Sequence, residues 1–102
     1  MNATYGFRAT IPAHKGKGDE LVALLLTAQP SEHCVLYLVG RSASDPDTVH
    51  VTEGWTSKDA HAANFASERA KDLVARIAPL VREGSRYEDE VPVGGSAQGA
   101  AL

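Results

Sequence analysis

Val49–Ser67, reading VHVTEGWTSKDAHAANFAS, is the stretch on which the fold turns. Val49, Val51, Glu53 and Trp55 share one side at a spacing of two, as on a half-buried strand. The residues from Lys58 read as helix, with Thr56 or Ser57 as its cap. The single Trp therefore sits where a strand hands over to a helix, with an acid on the same side two residues earlier. Such junctions are frequent pocket walls. Trp55 reads equally well as a large core residue, since aromatics contribute much of a core's buried area.

Outward from this junction the chain alternates strand and helix. Thr4–Ile11 places Tyr5, Phe7, Ala9 and Ile11 on one face, and Pro12 is expected to end the strand. Asp19–Gln29 is a helix with acids at its positive end. Its stripe of Leu21, Leu24, Leu25 and Ala28 is widened by Val22 and Leu26. His33–Arg41 is apolar on both sides and reads as a covered strand. The Asp45-Pro46 turn returns the chain into Thr48–Trp55, so these two strands form a hairpin. Lys58–Ala66 is a short, alanine-rich helix. A second helix runs from Ser67 to about Ala78, with Ala70, Leu73, Val74 and Ile77 on one side and Pro79 near its end. Gly84 stops this region, and Ser85–Val91 is a polar final strand.

The order βαββαβ predicts an α+β fold, a ferredoxin-like antiparallel sheet with its helices on one face. Residues 1–91 make the domain and 92–102 a flexible tail. The second face of the sheet is expected to carry Val35, Tyr37 and Val39. Nothing remains in the chain to cover it, so a homodimer with facing sheets is expected.

Composition narrows the function. With 102 residues and 23% charged side chains the chain is an ordinary one-domain protein. A net charge of -3 offers no basic surface for nucleic acid. No apolar run is long enough for a membrane span, and MNATYGFRAT lacks a signal-peptide pattern. A lone Cys34 cannot close an internal disulfide, which makes the cytoplasm the expected location and a buried, inert thiol the expected state. The histidines at 14, 33, 50 and 61 show no metal-binding spacing, and no nucleotide or nucleophile-elbow motif occurs, so no metal and no cofactor are expected.

The remaining candidate is an apolar pocket. Tyr5, Phe7 and Phe65 would contact a substrate, and Trp55, Asn64, Glu53 and His61 would carry the chemistry. Burial of Glu53 would raise its pKa and make it a proton acceptor. Pairing of Glu53 with Arg8, Arg41 or a backbone donor is the competing expectation. Ala60, Ala62, Ala63 and Ala66 leave open whether the helix stands off the sheet or packs closely on it.

The order of three segments resembles the antibiotic biosynthesis monooxygenase family, whose members are dimeric α+β barrels. The segments are HKGKGDEL at residues 14–21, CVLYLVGRSASDPDTVHVTEGW at 34–55 and SKDAHAANFAS at 57–67. The resemblance covers Tyr5 to Glu90. It implies the dimer and a pocket between sheet and helices. It also implies one of several activities: oxidation of aromatic polyketides without metal or flavin, quinone chemistry, or haem degradation. Many relatives carry a histidine where this chain has Asn64, with His61 almost one turn earlier. The haem-degrading relatives use a first-strand asparagine, here Ala9, with a tryptophan that matches Trp55. The resemblance thus implies a cofactor-independent monooxygenase of a small aromatic or quinol-type substrate. A non-enzymatic ligand-binding dimer and a haem protein stand as alternatives.

Overall fold

Strand β1, Tyr5–Pro12, lies at the centre of a four-stranded antiparallel sheet in a computed structural model describing residues 3–97 and 100–101. One edge of β1 pairs with β3, Thr48–Trp55, in a register that sets Tyr5 opposite Trp55 and Phe7 opposite Glu53. Its other edge pairs with β4, Arg86–Glu90, setting Phe7 opposite Asp89 and Ala9 opposite Tyr87. β2, Cys34–Arg41, completes the order β2-β3-β1-β4. Helices α1 (Gly18–Leu25), α2 (Lys58–Phe65) and α3 (Glu68–Ile77) occupy the connections, giving the ferredoxin-like α+β arrangement.

β1 runs one residue further than its sequence suggests. Pro12 lacks an N–H, but its carbonyl accepts Arg82 N–H at 3.0 Å, so the strand continues through the proline on its acceptor alone. Helix α1 ends earlier than expected. After Leu25 the bonds tighten from Leu26 N–H···Val22 O to Thr27 N–H···Leu24 O, and the Thr27 hydroxyl also donates to Leu24 O at 2.6 Å. Leu21 and Leu25 enter the core, whereas Leu26, expected to widen the stripe, is 64% exposed beyond the last turn.

The start of α1 is held from a distant loop. The Asp47 carboxylate accepts Gly16 N–H at 3.0 Å on Oδ2 and Gly18 N–H at 2.9 Å on Oδ1, which caps a helix whose own preceding residue, Lys17, makes no side-chain cap. A Cβ on Gly18 would lie 2.1 Å from the Pro46 carbonyl oxygen, so this close approach requires glycine. Asp45 in the same turn accepts Thr48 O–H at 2.7 Å and Asp47 N–H at 3.0 Å; these bonds pull its pKa below the usual carboxylate range. Further along, Ser57 caps α2 by accepting Ala60 N–H at 3.0 Å, and Ser67 caps α3 by accepting Ala70 N–H at 3.2 Å.

The core joins Ala9, Ile11, Val49 and Val51 of the sheet to Leu21 and Leu25 of α1 and to Leu80. Leu21, Val49 and Trp55 are its fully buried large side chains. Each such side chain contributes roughly 1.5–3 kcal/mol by leaving water.

The expected second face of β2 needs correction. Tyr37 lies opposite Glu53 and Val39 opposite Val51, so both look towards the helices. A bulge between Cys34 and Leu36 changes the parity of the strand. Val35 does lie on the outer face: a Cβ built on Gly54 would meet both Val35 Cγ2 and Leu36 Cβ at 3.4 Å. The outer face of β2 thus carries Val35, Leu36 and Leu38, with Leu38 58% exposed. A strand apolar on both sides has no polar alternation to announce which side is which, and that is why the sequence misassigned it.

Beyond β4, Val91 and Val93 are exposed, and Ser96–Ala97 pairs antiparallel with Ala100–Ala101 as a short ladder. Gln98, Gly99 and Leu102 of the expected flexible tail lie outside the described residues. Among the described residues no helix is long and apolar enough to cross a membrane.

Candidate functional site

A cavity of about 930 Å³ lies between the sheet and the helices, within the size range of small-molecule sites. Its origin is in the sequence of α2 and α3. α2 turns His61, Asn64 and Phe65 to the cavity and leaves Ala62 and Ala63 exposed, and neither helix buries a single residue fully. The apolar stripe of α3, including Leu73, Val74 and Ile77, lines the cavity instead of closing on β1 and β3. Val74 is accordingly 46% exposed.

The polar end of the cavity is built on β3 and α2. Trp55 is 1% exposed and is held against the sheet by its pairing with Tyr5. Its indole Nε1–H donates to Glu53 Oε1 at 2.8 Å. The same carboxylate oxygen stands 3.8 Å from His61 Nε2, with both side chains largely buried. Burial raises the pKa of Glu53, while the Trp55 hydrogen bond and the nearby His61 act in the opposite direction. Glu53 pairs with neither Arg8 nor Arg41, against the competing expectation: Arg8 binds Glu90 at 3.3 Å and Arg41 binds Asp19 at 2.8 Å.

Aromatic rings surround His61. Its ring centroid lies 4.8 Å from that of Phe7, 5.1 Å from Tyr5 and 5.3 Å from Trp55, the last edge-on at 78°. Phe65, one turn along α2, stacks at 6.4 Å. Phe7, Trp55, His61, Asn64, Phe65 and Glu53 all line the cavity. Tyr5, expected as a substrate contact, is not part of the wall. It packs behind His61, and its hydroxyl donates to Asp89 Oδ1 at 2.6 Å. Burial and this bond push the Tyr5 pKa up to about 12, and the same bond lowers that of Asp89.

Asn64 faces the cavity with its carbonyl already engaged: Oδ1 accepts Ser31 N–H at 3.1 Å, which ties α2 to the segment after α1. Its amide nitrogen is the group left to meet a bound molecule.

Tyr37 and Tyr87 are wall residues that the sequence reading did not select. Tyr37 donates its hydroxyl to Leu25 O at 2.8 Å, and burial, followed by the Glu53 charge, pushes its pKa up to about 12. Tyr87 stacks on Phe7 at 5.9 Å and 18°. The period-two register of β4 against β1 would have revealed Tyr87, because Ala9 faces inward and Tyr87 is its partner. Cys34 lies outside the cavity wall, half-buried, with its thiol pushed up to about 11 by desolvation. Among the described residues no group of three or more His, Cys, Asp and Glu side chains converges as a metal site would.

The arrangement offers a mostly apolar space, aromatic surfaces for stacking and one linked indole–carboxylate–imidazole set. It suits the binding of a planar ring with one polar edge turned towards His61.

Comparison with known proteins agrees with this architecture. The sequence profile of the antibiotic biosynthesis monooxygenase family matches residues 4–76. A crystal structure described as a candidate antibiotic biosynthesis monooxygenase from Chloroflexus aurantiacus is 31% identical; it superposes with a TM-score of 0.85 over 95% of this chain and 100% of its own. A second such candidate, from Caulobacter crescentus, is 21% identical, with a TM-score of 0.79 over 90% of this chain and 92% of its own. A protein from Shewanella oneidensis is also 21% identical, with a TM-score of 0.77 over 88% and 91%. The last two speak for the fold alone. No functionally curated protein matches the chain significantly. The matched profile, spanning β1 to the end of α3, and the full-length Chloroflexus relative show that this chain belongs to the antibiotic biosynthesis monooxygenase family.

Proposed function

We propose that this protein is a cofactor-independent monooxygenase of a small aromatic or quinol-type substrate, acting as a homodimer. The observation that carries the reading is the Trp55–Glu53–His61 set at the edge of an otherwise apolar cavity. A phenolic substrate would stack on Phe7 and Phe65 with its hydroxyl towards His61, and the Asn64 amide would donate to a neighbouring oxygen. His61 takes the phenolic proton, and the Glu53 carboxylate stabilises the imidazolium that results. The phenolate is richer in electrons than the phenol and reduces dioxygen more readily. One oxygen atom ends on the ring as a carbonyl and the other leaves as water. Four electrons come from the substrate, which loses two hydrogens and gains one oxygen.

The test is oxygen uptake with anthrone or 1-naphthol in chelator-treated, metal-free buffer. Uptake matched by quinone formation is expected. A substrate analogue that binds without oxygen uptake would favour the second reading, a non-enzymatic ligand-binding domain in which the same cavity only holds an apolar molecule.

The dimer reading rests on the apolar strip on the outer face of the sheet, where Leu38 is exposed and Val35 and Leu36 are half-buried. A second copy laid on that face would cover it by two-fold symmetry. Sedimentation velocity is expected to report a dimer for the native chain and a monomer for Leu38→Glu.

A further inference from the structure

The wall of the cavity also carries a positive charge. Arg69, in the first turn of α3, is the one arginine or lysine among the described residues that line it. Its Nη1 donates to Gln29 O at 3.2 Å, which fixes the guanidinium against the segment after α1 and leaves other N–H groups available.

The carboxylates along the same helix are engaged elsewhere. Asp72 binds Arg76 at 3.2 Å and Glu68 lies 4.0 Å from Lys71. Among the described residues no carboxylate forms a salt bridge with Arg69, whereas Arg8, Arg41 and Arg76 each have one. A guanidinium held in place at the rim of an apolar cavity matches the planar, bidentate geometry of a carboxylate.

We propose that Arg69 is a specificity residue and that the substrate class is an aromatic acid, with a ring carboxylate on Arg69 and a phenolic group towards His61. This deepens the proposed function and rests on it for the use of the cavity. The charges orient such a molecule. Glu53 repels a carboxylate from the neighbourhood of His61, and Arg69 attracts it.

The test is calorimetric titration of the native chain, Arg69→Gln and Arg69→Lys with 6-hydroxy-2-naphthoate and with its uncharged amide. The native chain is expected to bind the acid at least tenfold more tightly than the amide. Arg69→Gln is expected to lower affinity for the acid about tenfold and leave the amide unchanged. Arg69→Lys keeps part of the preference, because the charge remains while the fork is lost. Equal affinity of the native chain for acid and amide would overturn the assignment of Arg69, as would an Arg69→Gln variant that weakens both alike; in either case binding of the amide leaves the cavity reading standing. Binding of neither compound would overturn both readings together.

Discussion

The Trp55 indole nitrogen and the Glu53 carboxylate, two residues apart on the same side of β3, are joined by a 2.8 Å hydrogen bond. In a strand, residues i and i+2 point the same way, so this contact is local in sequence. The Tyr5 and Phe7 pairings from β1 set that side of β3 against the helices. Trp55 is consequently both a core residue and the donor that aims a carboxylate at His61, which reconciles the two readings of a lone Trp.

Trp55→Phe keeps the ring and removes the donor. A bond that favours the ionised form of Glu53 is lost, so the Glu53 pKa rises further. The variant is expected to lose about 1–3 kcal/mol of stability in urea titrations, the typical cost of a half-buried acceptor left without its partner. Carboxyl-carbon NMR titration of Glu53 reads the pKa change directly.

Glu53 also has a pH signature. Its folded-state pKa is raised by burial, so its protonated form is the one that folding favours. That contribution is fully present below the unfolded-state pKa, about 4.3 for Glu. It is lost as pH rises through the folded value. Glu53→Gln is therefore expected to be more stable than the native chain at pH 7, the difference vanishing towards pH 3. Asp89 behaves in the opposite sense: its pKa is lowered by the Tyr5 hydrogen bond, and its contribution is lost as pH falls through that value. Thermal melts of Glu53→Gln and Asp89→Asn across pH 3–7 separate the two.

His61 and Asn64 are expected to differ in kind. His61→Ala is expected to cut oxygen uptake by about 100-fold or more, the usual contribution of a positioned base. Asn64→Ala removes the acceptor of Ser31 N–H, so it is expected to speed amide exchange at Ser31 and cost about 1 kcal/mol, with a smaller effect on turnover. Equal turnover losses in the two variants would count against His61 as the base.

Haem is expected to remain unligated. His61 is the imidazole of the cavity wall, and its Nε2 faces Glu53 within a ring of aromatic side chains. Micromolar haem added to the protein is expected to keep the Soret band of free haem; a sharp red-shifted band abolished by His61→Ala would reverse this.

Gly18→Ala tests the tertiary cap of α1. The added Cβ strikes a backbone carbonyl, so the β2–β3 turn has to move away from the helix start. A loss of about 1–3 kcal/mol is expected in urea titrations.

Period-two alternation along Tyr5–Ile11 and Val49–Trp55 specified two central strands and their inward faces. It also put Trp55, Glu53 and Phe7 on one side. The cap of α2 was legible as Thr56 or Ser57, because a cap is a contact between neighbours in sequence, and the structure assigns it to Ser57. β2 did not reveal its sides. The bulge at Cys34–Leu36 is a property of pairing with β3, and a residue shift of one reverses every side chain that follows. Tyr37 was placed on the wrong face for this reason. Arg69 passed unnoticed because nothing local distinguishes an arginine at a cavity rim from one in solvent.

The sequence by itself determined the element order, the family resemblance and the cluster around Trp55, since periodicity, caps and turn residues act over a few positions. Only the tertiary structure decided that the cavity is open, that His61 rather than Asn64 faces Glu53, that Tyr5 stands behind the wall, and that Asp47 caps α1. Each of these depends on how far a helix stands from a sheet and on which distant groups meet there. That separation follows from the packing of all side chains together and is written in no single segment.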